Sequence, residues 1–95
     1  MKLLSVQASD KATKKFMAIF ESDTGRKKTT HFGLKNADDY TKTKDKEQRE
    51  RYRTRHKKDL ETGDPTRAGF LSWYLLWNKE TLAASIADYK RRFNL

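Results

Sequence analysis

The chain contains no cysteine, a single proline, four glycines and two tryptophans in 95 residues. Without cysteine there is no disulfide framework, no thiolate nucleophile and no Cys-containing metal site, so zinc ribbons, zinc knuckles and thiol chemistry are excluded and the composition suits a reducing compartment. Apolar residues make up only 35% of the chain. The longest apolar stretch, Phe70–Trp77, falls far short of the roughly 18 to 20 residues that a membrane span needs, and Met1–Ser5 has no secretory apolar segment. Phosphate-cradling and nucleophile-elbow glycine motifs are missing as well. What is abundant is positive charge. There are 22 Lys and Arg against 13 Asp and Glu, a formal net charge of +9. Such a chain makes one small basic domain, residues 1–95, whose thin core leans on five Phe, four Tyr and two Trp.

The alternation of Leu4, Val6 and Ala8 with Ser5 and Gln7 predicts a strand over Leu3–Ser9. Lys14–Ser22 carries Phe16, Ala18 and Phe20 on one side and Met17 and Ile19 on the other, which predicts a central strand buried on both faces. Ser22-Asp23-Thr24-Gly25 is a hairpin turn. It leads into a polar edge strand over Arg26–Phe32 that stops at Gly33. Residues 1–36 therefore form a three-stranded antiparallel meander, and residues 37–95 a helical part.

Lys42–Glu61 is rich in helix formers, and its only apolar stripe is Tyr52, His56 and Leu60. This predicts a surface helix supported by Asp45–Arg49 and Glu47–Arg51 pairs. Asp64 and Pro65 fit the N-cap and first position of a buried helix reaching about Trp77, apolar all round, with Gly69 allowing close packing. Asn78 then caps a last helix over Lys79–Phe93, with Leu82, Ile86, Tyr89 and Phe93 on one face. The expected class is α+β, in the order β-β-β-α-α-α.

Residues 1–36 hold eight bases and three acids, residues 37–63 nine and seven, residues 64–95 five and three. Most of the unbalanced charge thus belongs to the sheet. Within the first long helix Arg49, Arg53 and Lys57 recur every four residues, as do Arg51 and Arg55, giving two basic ridges that suit a phosphate backbone. A solvated face of mixed charge is the plainer explanation. Tyr52 among its arginines is a candidate for base stacking, although its place on the apolar stripe favours packing. His31, His56, Asp38 and Asp39 are the residues an acid/base enzyme would use, but their spacing fits no catalytic or metal-binding motif, and Asp38 and Asp39 also suit helix capping. No catalytic residue, metal, cofactor or small-molecule substrate is expected.

Thr30-His31-Phe32-Gly33, Asp39-Tyr40-Thr41, Arg49–Leu60, Asp64–Asn78 and Tyr89–Phe93 together make the chain, over about residues 14–94, similar to short, basic, poorly characterised proteins of nucleocytoplasmic large DNA viruses of algae and amoebae. Thr43 stands where similar sequences often carry His. The resemblance implies no agreed activity. It implies a protein made in the host cytoplasm and carried in the virion, as a minor capsid or DNA-associated component.

The expected function is accordingly a non-enzymatic virion protein packing between larger capsid proteins, with Trp73, Trp77, Tyr74 and Phe93 as aromatic contacts. Arg26, Lys27, Lys28, Arg49, Arg53, Lys57, Arg91 and Arg92 would meet acidic neighbours. The alternative is a sequence-nonspecific nucleic-acid binder associated with the genome and using the same bases.

Overall fold

The computed structural model describes residues 1–95. Three strands, β1 (Lys2–Ala8), β2 (Lys14–Glu21) and β3 (Lys27–Leu34), form one antiparallel sheet in the order β1-β2-β3, and helices follow. The α+β meander expected from the sequence is the architecture observed. The second hairpin closes through Ser22 and Arg26, whose backbones bond at 2.8 Å, while Gly25 takes the positive φ of 85° that the turn requires.

The register pairs Phe16 with Phe32, Ala18 with Thr30 and Phe20 with Lys28. On the other side Leu3 faces Phe20 and Val6 faces Ala18. These residues share one face, on which Leu3, Ala18, Phe20 and Phe32 are buried. A register shift between Leu3 and Ser5 leaves Leu4 46% exposed. The opposite face, with Met17, Ile19, Thr29 and His31, is half-buried to exposed. The central strand is thus buried on one side only, because every helix packs on the Phe20 side. Gly33 does not stop β3 but lies inside it, with φ of 77°. A Cβ there would come within 2.9 Å of Leu76 Cδ1, so its lack of a side chain lets helix and strand meet.

The helical part is more divided than its composition suggests. Asp39 caps one extra turn, α1 (Tyr40–Thr43), accepting from Thr41 N at 2.9 Å. Lys44, at φ of 54°, ends it, and Asp45 caps α2 (Lys46–His56) by accepting from Glu47 N and Gln48 N. That capping role occupies Asp45, and neither the Asp45–Arg49 nor the Glu47–Arg51 pair forms. The chain tightens into a 3₁₀ stretch over Lys57–Thr62 and turns at Gly63.

Asp64 caps a turn rather than a helix, taking the Thr66 N–H at 2.9 Å and the Thr66 hydroxyl at 2.7 Å. Helix α3 (Ala68–Leu71) starts later and widens into a π turn over Ser72–Leu76, where Trp77 N bonds Ser72 O at 3.2 Å. Thr81, not Asn78, caps α4 (Leu82–Phe93), because Asn78 is drawn into the interior by Asp88.

The core joins the inner sheet face to Tyr40, Leu71, Leu75, Leu76, Trp77 and Tyr89. Leu82, Ile86 and Phe93 pack against it along the predicted stripe of α4. Trp73 and Trp77 are buried, and Tyr74 and Phe93 pack in a cluster with Phe70 and Tyr89 at ring separations of 5.1–6.1 Å. These rings meet each other, so the aromatic contact surface expected from composition is instead interior packing.

Candidate functional site

The two basic ridges of α2 have different surroundings. Arg49 and Arg53 turn inward to the bend that follows the π turn. Arg53 donates to Trp77 O at 2.9 Å with its guanidinium 4.5 Å from the Trp73 ring, and Arg49 donates to Asn78 O at 3.0 Å, lying 4.9 Å from the Tyr40 ring. A guanidinium fits this work because one plane both stacks on a ring and presents donors along its edge. Burial lowers the pKa of Arg53, and the neighbouring charge of Arg49 lowers it further.

The same bend is held from below. Asn78 Nδ2 donates to Asp88 Oδ2 at 2.8 Å, and the Asp88 carboxylate also receives Arg91 and Arg92. The Asp88 side chain is 3% exposed, and burial would raise its pKa. The hydrogen bonds from Asn78, Arg92 and Arg91, with the charge of Arg92, outweigh burial and bring it down to about 2. Burial and the charge of Asp64 raise the pKa of Tyr89, whose hydroxyl donates to Pro65 O.

Of the eight predicted contact residues, Arg49, Arg53, Arg91 and Arg92 therefore hold the fold's own carbonyls and carboxylates, and Lys28 Nζ bonds Thr66 Oγ1 at 2.8 Å. Arg26, Lys27 and Lys57 are exposed and have no side-chain partner. Arg26 and Lys27 lie together at one end of β3, while Lys57 begins the 3₁₀ stretch.

The residues that an acid/base enzyme would use do not assemble. His31 Nδ1 meets Ser9 Oγ at 2.7 Å, and its Nε2 lies 3.9 Å from Asp10, a carboxylate 80% exposed. His56 Nδ1 meets Asp59 Oδ2 at 3.1 Å. Asp39 is buried against Lys15 Nζ at 2.5 Å, and Asp38 lies 3.9 Å from Lys42. No histidine reaches Asp38 or Asp39. Tyr52 stacks on the Trp77 indole at 4.4 Å and on the His56 imidazole at 4.2 Å, so packing, the plainer of its two roles, is the one observed.

One cavity escaped the sequence pattern. A cleft of about 580 Å³ opens between the start of β2, the end of β3, α2 and α3. Phe32, Leu76, Tyr52 and Trp77 line its apolar part, and Lys14, Arg51 and Arg55 add positive charge. Lys14 and Arg51 make no side-chain hydrogen bond or ion pair, and Arg55 makes only a long 3.4 Å contact through Nε with His56 Nε2. Gly69 lets α3 close on the cleft wall, since a Cβ there would stand 2.9 Å from Asp59 Cβ. The cleft joins residues distant in sequence, which no local periodicity marks. The recurrence of Arg51 and Arg55 every four residues was its only trace.

Fold and surface together define a small basic α+β module with a one-sided sheet. By comparison with known families, residues 4–56 match the Family of unknown function (DUF5754), and the chain belongs to that family. No curated protein and no solved structure matches it.

Proposed function

We propose that the protein is a non-catalytic structural component of a virus particle, of minor-capsid type, which packs between larger virion proteins. The observation that carries this reading is the one-sided sheet: helices cover one face, while Met17 and Ile19 of the central strand and Thr29 and His31 of the edge strand β3 lie on the other. Arg26 and Lys27 stand unpaired at its border. A partly apolar sheet face edged by cations suits coverage by a neighbour with an acidic rim, the apolar area giving adhesion and the charges setting register. The viral setting comes from the sequence resemblance. Mass spectrometry of purified particles is expected to find the chain, and carbodiimide coupling of amines to carboxylates is expected to join Lys27 to an acidic segment of a larger particle protein. Absence from purified particles sinks the reading.

A second reading, sequence-nonspecific nucleic-acid binding, is favoured by the free Arg51 and Arg55 ridge. It is tested by fluorescence anisotropy with a random-sequence duplex at about 50, 100 and 200 mM salt, where phosphate-driven binding changes steeply. Replacing Arg51 and Arg55 by Gln is expected to flatten the slope of log affinity on log salt by roughly 0.9 for each lost phosphate contact. An unchanged slope removes the ridge from the footprint.

A further inference from the structure

The cleft beside α2 combines a size, a wall and a charge pattern that together select a ligand. Its volume of about 580 Å³ lies within the range of roughly 300–1,000 Å³ typical of small-molecule sites. The wall is aromatic: Tyr52 is stacked on Trp77 and His56, with Phe32 beside them. Leu34, 64% exposed at the end of β3, borders it and is the most exposed large apolar side chain of the molecule.

The charges around the cleft do not cancel. Lys15 is matched by Asp39, Asp38 by Lys42, and Asp59 is engaged by His56. Arg55 Nε makes only a long 3.4 Å contact with His56 Nε2, and His56 Nδ1 lies 3.1 Å from Asp59 Oδ2. Lys14, Arg51 and the terminal nitrogens of Arg55 are left over. Arg51 and Arg55 are neighbours one helical turn apart, and Lys14 lines the same cleft from β2. Three unmatched cations call for an anion with several oxygens. A phosphate monoester carries nearly two negative charges and three terminal oxygens, and guanidinium groups bind such oxygens two at a time. A single carboxylate would leave part of this donor set empty.

We infer that the cleft is a binding site for a free nucleoside monophosphate or a molecule of the same build, with its phosphate at Lys14, Arg51 and Arg55 and its flat ring against the aromatic wall near Leu34. The phosphate supplies charge and the ring supplies buried apolar area, so neither half alone fills the site.

The site lies at the end of the β2–β3 ladder where Lys14 faces Leu34, and Arg26–Lys28 lies at the other, where Glu21 faces Lys27. Leu34 is six residue steps along the strand from Lys28, roughly 20 Å. The two surfaces can therefore be tested separately.

The probe is adenosine 5′-monophosphate, titrated into the full chain by calorimetry and by amide chemical shifts. Saturable binding with a Kd below about 1 mM is expected, with adenosine and inorganic phosphate each at least about tenfold weaker. Shifts are expected at Gly33, Leu34, Arg51, Arg55 and His56, and not at Arg26–Lys28. K14Q/R51Q/R55Q removes charge from side chains that support no other contact except the long one to His56, and is expected to weaken binding at least about tenfold. L34E, at an exposed position, is an independent variant expected to weaken binding by replacing the apolar surface beside the ring with a charge. Failure to saturate, shifts centred on Arg26–Lys28, equal binding of phosphate alone, or undiminished binding by the triple variant would each overturn the assignment.

Discussion

Helix α2 carries two pairs of arginines with the same spacing and opposite uses. Arg49 and Arg53 fasten a bend in the chain, their donors on the Asn78 and Trp77 carbonyls and their planes against Tyr40 and Trp73. Arg51 and Arg55 line the cleft with almost nothing to bind. Residue type and periodicity are equal in the two pairs, so the difference comes from what the rest of the chain brings to each flank. A count of basic residues therefore overstates the positive surface open to a partner.

The comparison is broken most directly by removing one arginine from each side. Arg53→Ala removes a hydrogen bond to a buried carbonyl and a stacked cation, and is expected to cost about 2–3 kcal/mol in urea unfolding. Arg51→Ala is the other arm, and its effect is expected to be the smallest in the series.

A step below Arg53 stands the acid sensitivity of the same bend. The folded pKa of Asp88 is about 2, against an ordinary carboxylate value of 3.8. Because the folded value is the lower one, its stabilisation is fully present above about pH 4 and is lost as the pH falls toward 2, an expected loss of about 1–2 kcal/mol. The pKa of Asp64 is also lowered, chiefly by its hydrogen bonds to Thr66, so its contribution has the same sign. The diagnostic is thus the difference between wild type and Asp88→Asn, whose unfolding curve is expected to be flatter between pH 4 and 2. Parallel curves would remove Asp88 as the acid-labile anchor.

A smaller effect of opposite sign is expected where α1 meets α2. Lys44 sits at φ of 54°, a left-handed conformation that costs a residue with a Cβ. Lys44→Gly is expected to stabilise the fold by up to about 1 kcal/mol, read as a rise in melting temperature. Lys44 Nζ bonds Thr41 O, and that loss offsets part of the gain. Last comes Arg51→Ala, expected to stay within about 0.5 kcal/mol of wild type. If it costs as much as Arg53→Ala, the division of the helix into a fastening side and an open side fails.

The two ridges also mark where a linear reading stops. On a helical wheel, Arg49 and Arg53 flank one side of the Tyr52–His56 stripe, and Arg51 and Arg55 flank the other. Nothing local tells which flank meets carbonyls. The three strands, the Gly25 turn, the stripe of α4 and the close approach at Gly69 were legible because each depends on neighbours in sequence. The division of the long charged segment at Lys44 was not, since Asp39 and Asp45 are both good caps and each took a helix of its own. Asn78 had the chemistry of a cap as well, and only the distant Asp88 diverted it. Three of the eight expected contact residues, Arg26, Lys27 and Lys57, retain unpaired side chains. The cleft depends on Lys14 and Leu34 ending the ladder opposite α2, a meeting that no periodicity encodes.

The π turn over Ser72–Leu76 adds a constraint of another kind. A wide turn of this sort holds one residue more than an α-helix of the same rise. Deleting a residue from it would restore the tighter pitch and swing all that follows by about 100°, carrying the carbonyls of Trp77 and Asn78 away from Arg53 and Arg49. Apolar side chains within this span can be exchanged more freely than residues can be added or removed. Here the number of residues in the segment constrains the fold more strictly than their identity.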